Sequence, residues 1–151
     1  MNKKLILTIV LVCFSFGFAQ AETMIFGGGQ LAICNQGEVR GGTLLGLGQR
    51  VSKQVILWGN LSKQKTDPGL TQYLMGLSIL SEYLIPNINM GGYLQAEGGW
   101  NKEIGEPTVE GGLVSLGLFF DANEKNTLWL GWGYNGIHSI QAGLSIDVTW
   151  R

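Results

Sequence analysis

The chain has 151 residues, 10 of them Lys or Arg and 11 Asp or Glu, for a formal net charge of -1; this balance argues against a nucleic-acid partner. Charged residues make up only 14% of it and hydrophobic residues 45%, whereas an ordinary soluble domain carries about 25% charge. The 24 glycines follow no collagen-like period, and the two cysteines exclude a multi-bridge disulfide scaffold.

Residues 1–21 read as a secretory signal. Lys3 and Lys4 form a positive start, an apolar run follows from Leu5 to Phe18, and Ala19-Gln20-Ala21 is a small-x-small cleavage pattern. The apolar run is short for a spanning helix, which needs about 20 residues. Cys13 follows Val12, where a lipidated signal would have a small residue. Cleavage after Ala21 is expected to leave residues 22–151 as a single domain. That domain contains Cys34 alone and therefore no internal disulfide; Cys34 reads as a small, partly buried residue near a strand end.

Eight strands follow in chain order, predicted over residues 26–34, 42–51, 54–62, 71–84, 88–100, 109–120, 127–134 and 137–150. Turn-forming clusters separate them: Asn35-Gln36-Gly37, Ser52-Lys53, Asp67-Pro68-Gly69, Pro86-Asn87, Gly105-Glu106-Pro107, Asp121-Ala122-Asn123 and the hairpin dipeptide Asn135-Gly136. Gly27-Gly28-Gly29 reads as a flexible lead-in to the first strand. It lacks the Lys-Ser/Thr context of a phosphate loop. Asn60-Leu61-Ser62 matches a glycosylation sequon, a pattern that arises often by chance.

The later strands alternate with period two. The last is the clearest: Ile140, Ala142, Leu144, Ile146, Val148 and Trp150 share one face, and Gln141, Gly143, Ser145, Asp147 and Thr149 the other. Strands four to seven behave alike, and the strand charges Glu82, Glu97 and Asp147 fall on the small, polar face. The first three strands alternate less cleanly, with Leu44, Ile56 and Trp58 on the polar side.

Two barrels fit this alternation. A soluble lipocalin-like or avidin-like barrel hides the apolar face inside, and a membrane barrel turns it outward. Three features favour the second. Lys53, Lys63, Lys65, Lys102 and Lys125 sit in turns or at strand ends rather than along a water-facing wall. The polar face is mostly Gly, Ser, Thr and Gln, which suits the narrow interior of eight strands. With the N-terminus on the periplasmic side, the apolar-face aromatics sort into an outer belt (Tyr73, Trp100, Tyr134) and an inner belt (Tyr83, Phe120, Trp150).

On this pattern the chain resembles small eight-stranded outer-membrane barrels of the OmpA/OmpX type. The segment Gln141-Ala142-Gly143-Leu144-Ser145-Ile146-Asp147-Val148 resembles the C-terminal signal read by the barrel-assembly machinery, although Arg151 follows the terminal aromatic. The resemblance implies an all-β, antiparallel, up-and-down transmembrane barrel in the bacterial outer membrane. It also implies a monomer whose partners are outer-membrane lipid, lipopolysaccharide and, during insertion, the assembly machinery.

The functional expectation is a structural or interaction role. Arg50, Glu82, Gln95, Glu97 and Asp147 are expected to form an internal polar network, with inward Trp58 and Trp129 obstructing any channel. A lipid A-modifying enzyme is the alternative. Ile137-His138-Ser139-Ile140-Gln141 only faintly resembles a deacylase motif, because Ile140 stands where that motif has its nucleophile. His138 and Ser139 are also neighbours on a strand and so face opposite ways. No catalytic, cofactor-binding or metal site is assigned.

Overall fold

In a computed structural model, which describes residues 22–33, 37–64, 70–103 and 105–149, eight antiparallel strands close on themselves in chain order. They are β1 (Glu22–Ile33), β2 (Val39–Ser52), β3 (Val55–Gln64), β4 (Leu70–Ile85), β5 (Met90–Glu103), β6 (Val109–Asp121), β7 (Asn126–Tyr134) and β8 (His138–Asp147). Each strand pairs with the next, and β1 pairs with β8 through Gly28↔Gly143 and Leu31↔Ile140. Closure leaves no unpaired edge. The strands run from 9 residues in β7 to 16 in β4, enough to cross a bilayer at the usual tilt, which takes about 9–11 residues.

The connections are short because turn chemistry interrupts the chain wherever alternation stops. Gly136 takes a left-handed φ of 95° between β7 and β8, and the Ile137 amide donates to Asn135 Oδ1 at 3.2 Å. Pro86–Ile88 forms a single 3-10 turn closed by Asn89 at φ 50°, so β5 begins two residues later than its predicted start. The segment after Asp147 is not strand, which ends β8 short of the predicted boundary, although the Val148 amide still donates to Thr23 O at 2.8 Å.

The apolar face is outside. Leu31, Leu45, Leu47, Leu94, Leu116, Leu130, Ile140 and Leu144 all point away from the barrel, with Leu130 57% exposed. Gln30, Ser62, Gln72, Ser78, Glu97, Ser115, Ser139, Gln141 and Ser145 are buried inside. A lipocalin-like arrangement would place these two sets the other way round. Among the described residues, Lys63, Lys102 and Glu110 are charged outward positions on the strands, all at the end of the barrel opposite the start of β1 and the end of β8.

Two expectations about strand interiors are corrected, those for Gly27-Gly28-Gly29 and Tyr83. Gly27-Gly28-Gly29 is no lead-in but the middle of β1, because β1 begins at Glu22. A Cβ on Gly28 would press into the β8 backbone at Ala142 and Gly143. Asn60 of the sequon lies within β3 with its side chain in the lumen. Tyr83 does not join the outward belt. The β4–β5 register slips between Leu80 and Tyr83 and again before Ile85, and this bulge turns Tyr83 to the mouth of the lumen. There its hydroxyl donates to Asp121 Oδ2 at 2.8 Å and its ring lies 6.1 Å from that of Phe119. Cys34, Lys65, the turn Asp67-Pro68-Gly69, the signal segment, Trp150 and Arg151 lie outside the described residues.

Candidate functional site: a filled lumen between two rims

Eight strands enclose just enough width for side chains to meet, and this lumen is filled in layers. Toward the terminal end lies an aromatic cluster of Phe26, Trp58, Tyr93, Phe119 and Trp129, with Met24, Ile56 and Leu80 packed around it. Trp129 is its hub. Its ring stands 6.0 Å from Trp58 at 87°, 5.3 Å from Tyr93 at 77° and 5.8 Å from Phe119 at 41°. Edge-to-face contacts of this kind add about 0.5–1.5 kcal/mol each beyond area burial. The Trp129 indole N–H donates to Ser145 Oγ at 2.7 Å, so its polar end is satisfied across the β7–β8 pair.

Glycine makes room for these rings. A Cβ on Gly48 would strike the Trp58 ring, one on Gly91 the Phe119 ring, one on Gly131 the Tyr93 hydroxyl and one on Gly143 the Phe26 ring. Large inward side chains therefore lie across glycines of neighbouring strands, the small-with-large alternation that a narrow barrel requires. This explains much of the glycine on the polar face.

Above the aromatics lies a polar layer. Asn60 Nδ2 donates to Glu97 Oε1 across the lumen. Ser78 Oγ donates to Gln95 Oε1 at 2.9 Å, and Ser115 Oγ to Gln141 Oε1 at 3.3 Å. Glu97 is 8% exposed. A cavity of about 30 Å³ remains between this layer and the rings, lined by Asn60, Gln95, Glu97 and Gln141 among others; that is about one water's share of the liquid. Nearer the loop end, Gln30 Nε2 donates to Ser62 Oγ at 2.6 Å, Gln72 Nε2 to Asn101 Oδ1 at 2.9 Å and Asn135 Nδ2 to Gln72 Oε1 at 3.3 Å.

The expected five-residue network does not assemble. Gln95 and Glu97 share the lumen, but Arg50, Glu82 and Asp147 lie at the terminal rim, because they occupy strand ends. Arg50 Nε pairs with Glu22 Oε2 at 3.1 Å. Glu82 is exposed on the bulge of β4. Asp147 Oδ1 accepts from the Thr149 amide at 2.8 Å. The rim opens into a mouth of about 1060 Å³ lined by Glu22, Arg50, Lys53, Glu82, Tyr83 and Asp121, with Phe119 and Leu80 at its floor. Asn60, Ser62, Ser78 and Ser115 were absent from the expected network. Their small polar character at inward register positions was the available signal.

His138 and Ser139 separate as strand geometry requires. His138 faces outward, its ring 5.4 Å from Trp132 and 5.0 Å from Tyr134, and those two rings stack at 6.3 Å. Ser139 is buried inside, where its hydroxyl donates to Gly133 O at 3.4 Å. The two therefore form no nucleophile–base pair. Together with Tyr73 and Trp100, Trp132 and Tyr134 make an outward aromatic girdle at the loop end.

No protein-family model matches the sequence, and no curated protein matches it. Solved structures do. Neisserial surface protein A shares 16% identity over 84% of this chain and 96% of its own, with a TM-score of 0.62. The N-terminal β-barrel domain of Pseudomonas aeruginosa OprF shares 13% over 85% of this chain and 99% of that domain, also at 0.62. A de novo designed transmembrane β-barrel shares 12% over 84% of this chain and 95% of its own, at 0.60. At such identities the likeness is one of backbone path. It agrees with the inverted faces, the closed strand order and the short turns: the chain has the fold of the small eight-stranded transmembrane β-barrels.

Proposed function

We propose that this protein is an integral outer-membrane barrel with a sealed lumen and a structural or interaction role. The observation that carries this reading is the pairing of an apolar exterior with an interior closed by the Trp58–Trp129–Tyr93–Phe119 cluster. A solute pore needs a continuous polar path. Here the wide terminal mouth ends on Phe119 and Leu80. Exposure of the apolar band is stable only in lipid or detergent. In this reading the start of β1, the end of β8 and the tight turns face the periplasm, the loop end faces outward, and the segment Gln141 to Val148 serves as the assembly signal. The barrel works as a monomer.

The test is biochemical. The mature chain should sediment with the outer membrane, need detergent to stay monodisperse, and migrate differently on gels before and after boiling. In planar bilayers it should hold no steady open conductance. A monodisperse, folded chain in plain buffer would overturn the reading, and a stable conductance would overturn the sealed lumen.

A further inference from the structure

Among the described residues, the strand register places the two outward lysines of the barrel wall in one row. Lys63 of β3 pairs with Thr71 of β4, and Thr71 pairs with Lys102 of β5. Both lysines are exposed, and their neighbours Ser62 and Asn101 point inward, so both ammonium groups leave the barrel on its outer side. Two strand spacings of about 4.8 Å separate their backbones, within reach of two long side chains converging on one group. The ion pairs among the described residues are Arg40–Glu38 and Arg50–Glu22, so neither lysine is held in one, and Glu110 of β6 lies diagonal to Lys102 on the outward face.

One step toward the barrel middle, about 7 Å along the strands, the next outward row is Leu61, Tyr73 and Trp100. The row beneath is Gly59, Met75 and Gly98. A Cβ on Gly59 or Gly98 would touch nothing within 4 Å, so the row dips on either side of Met75. An apolar groove of about 550 Å³ follows from it, with Leu47, Gly59, Leu61, Met75, Tyr73 and Trp100 among its walls. Glu110 pairs with Trp100 from β6 and so lies on the far side of that ring from the groove.

We infer that this strip is a binding site for one anionic membrane lipid. An acyl chain lies in the groove over Gly59, between Tyr73 and Leu47. Its phosphate sits at the polar boundary between Lys63 and Lys102, with the Thr71 hydroxyl between them. A groove without cations would suit any hydrocarbon chain, and lysines without a groove would suit any anion. Their continuity in register selects a molecule with both parts. The inference rests on the proposed lipid-facing exterior.

Native mass spectrometry of the full mature chain in detergent tests it, with dioleoyl phosphatidylglycerol, dioleoyl phosphatidylcholine and inorganic phosphate as probes. Phosphatidylglycerol should bind more tightly than phosphatidylcholine. A lysine near a membrane surface contributes about a fivefold factor toward anionic lipid, so Lys63→Gln or Lys102→Gln should weaken phosphatidylglycerol about fivefold and the double variant about thirtyfold. Gly59→Leu should weaken both lipids while preserving the preference. Equal retention of the two lipids by the unaltered barrel, or an unchanged double variant, would overturn the site and leave the barrel reading standing. Inorganic phosphate binding as tightly as phosphatidylglycerol would also overturn it. A chain that stays folded and monodisperse without detergent would overturn both.

Discussion

Trp129 and Trp132 lie three residues apart on β7 and face opposite ways, so replacing each by alanine tests the inside–outside assignment on a single strand. Trp129 is 7% exposed and touches three other rings. Truncating a buried tryptophan costs about 3–5 kcal/mol. The upper end is expected here, because the substitution also removes the donor to Ser145 Oγ. Trp132 is 39% exposed on the lipid side and loses its stacking on Tyr134 and His138, about 1–3 kcal/mol at 0.5–1.5 kcal/mol per ring pair. Reversible urea unfolding in micelles measures both. With a slope of about 1–3 kcal/mol per molar, Trp129→Ala should lower the midpoint by more than about 1 M, and Trp132→Ala by less. A larger loss for Trp132→Ala would refute the assignment. In variants retaining one tryptophan, lipid-borne quenchers should reach Trp132 and leave Trp129 bright.

Leu144→Arg places a charge on the outward face of β8 and should cost about 2–4 kcal/mol near the bilayer midplane, read from the same unfolding curves; a neutral effect would contradict a lipid-facing β8. Ser145→Ala should cost about 1–3 kcal/mol, since it leaves the buried Trp129 indole N–H without an acceptor; loss of heat-modifiability at lower temperature checks it. Glu97→Gln keeps an acceptor for Asn60 and should change stability by less than about 1 kcal/mol, whereas Glu97→Ala strands the Asn60 amide at about 1–3 kcal/mol; equal losses would mean the charge itself matters. Gly76→Ala should destabilise by about 1–3 kcal/mol, because its Cβ would press into the β5 backbone at Ala96 and Glu97. Gly98→Ala, with open space around it, is the matched control and should be nearly neutral.

Period-two alternation made β4 to β8 and their faces legible from the residues, because side chains on a strand must point to opposite sides. Leu44, Ile56 and Trp58 looked misplaced on a polar face only while that face was imagined as uniformly wet. They are inward, and the narrow lumen needs them as filling. The bulge that turns Tyr83 inward shows in the alternation only as Ser81 on the otherwise apolar face, and the register slip between β4 and its partner gives it its direction. The glycines inside the barrel were likewise opaque one at a time. Each is explained by a ring arriving from another strand.

By itself the sequence determined strand number, the two faces of β4 to β8 and the aromatic belt of Tyr73, Trp100 and Tyr134, which follow from local chemistry and a two-residue period, whereas the period fitted either face as the exterior. Only the tertiary structure decided which polar groups meet. It dispersed Arg50, Glu82 and Asp147 to a rim and joined Asn60 to Glu97 across the lumen. It also aligned Lys63 with Lys102 above a glycine-floored groove. Those encounters depend on barrel closure and register, which bring together residues far apart in the chain and which no single strand encodes.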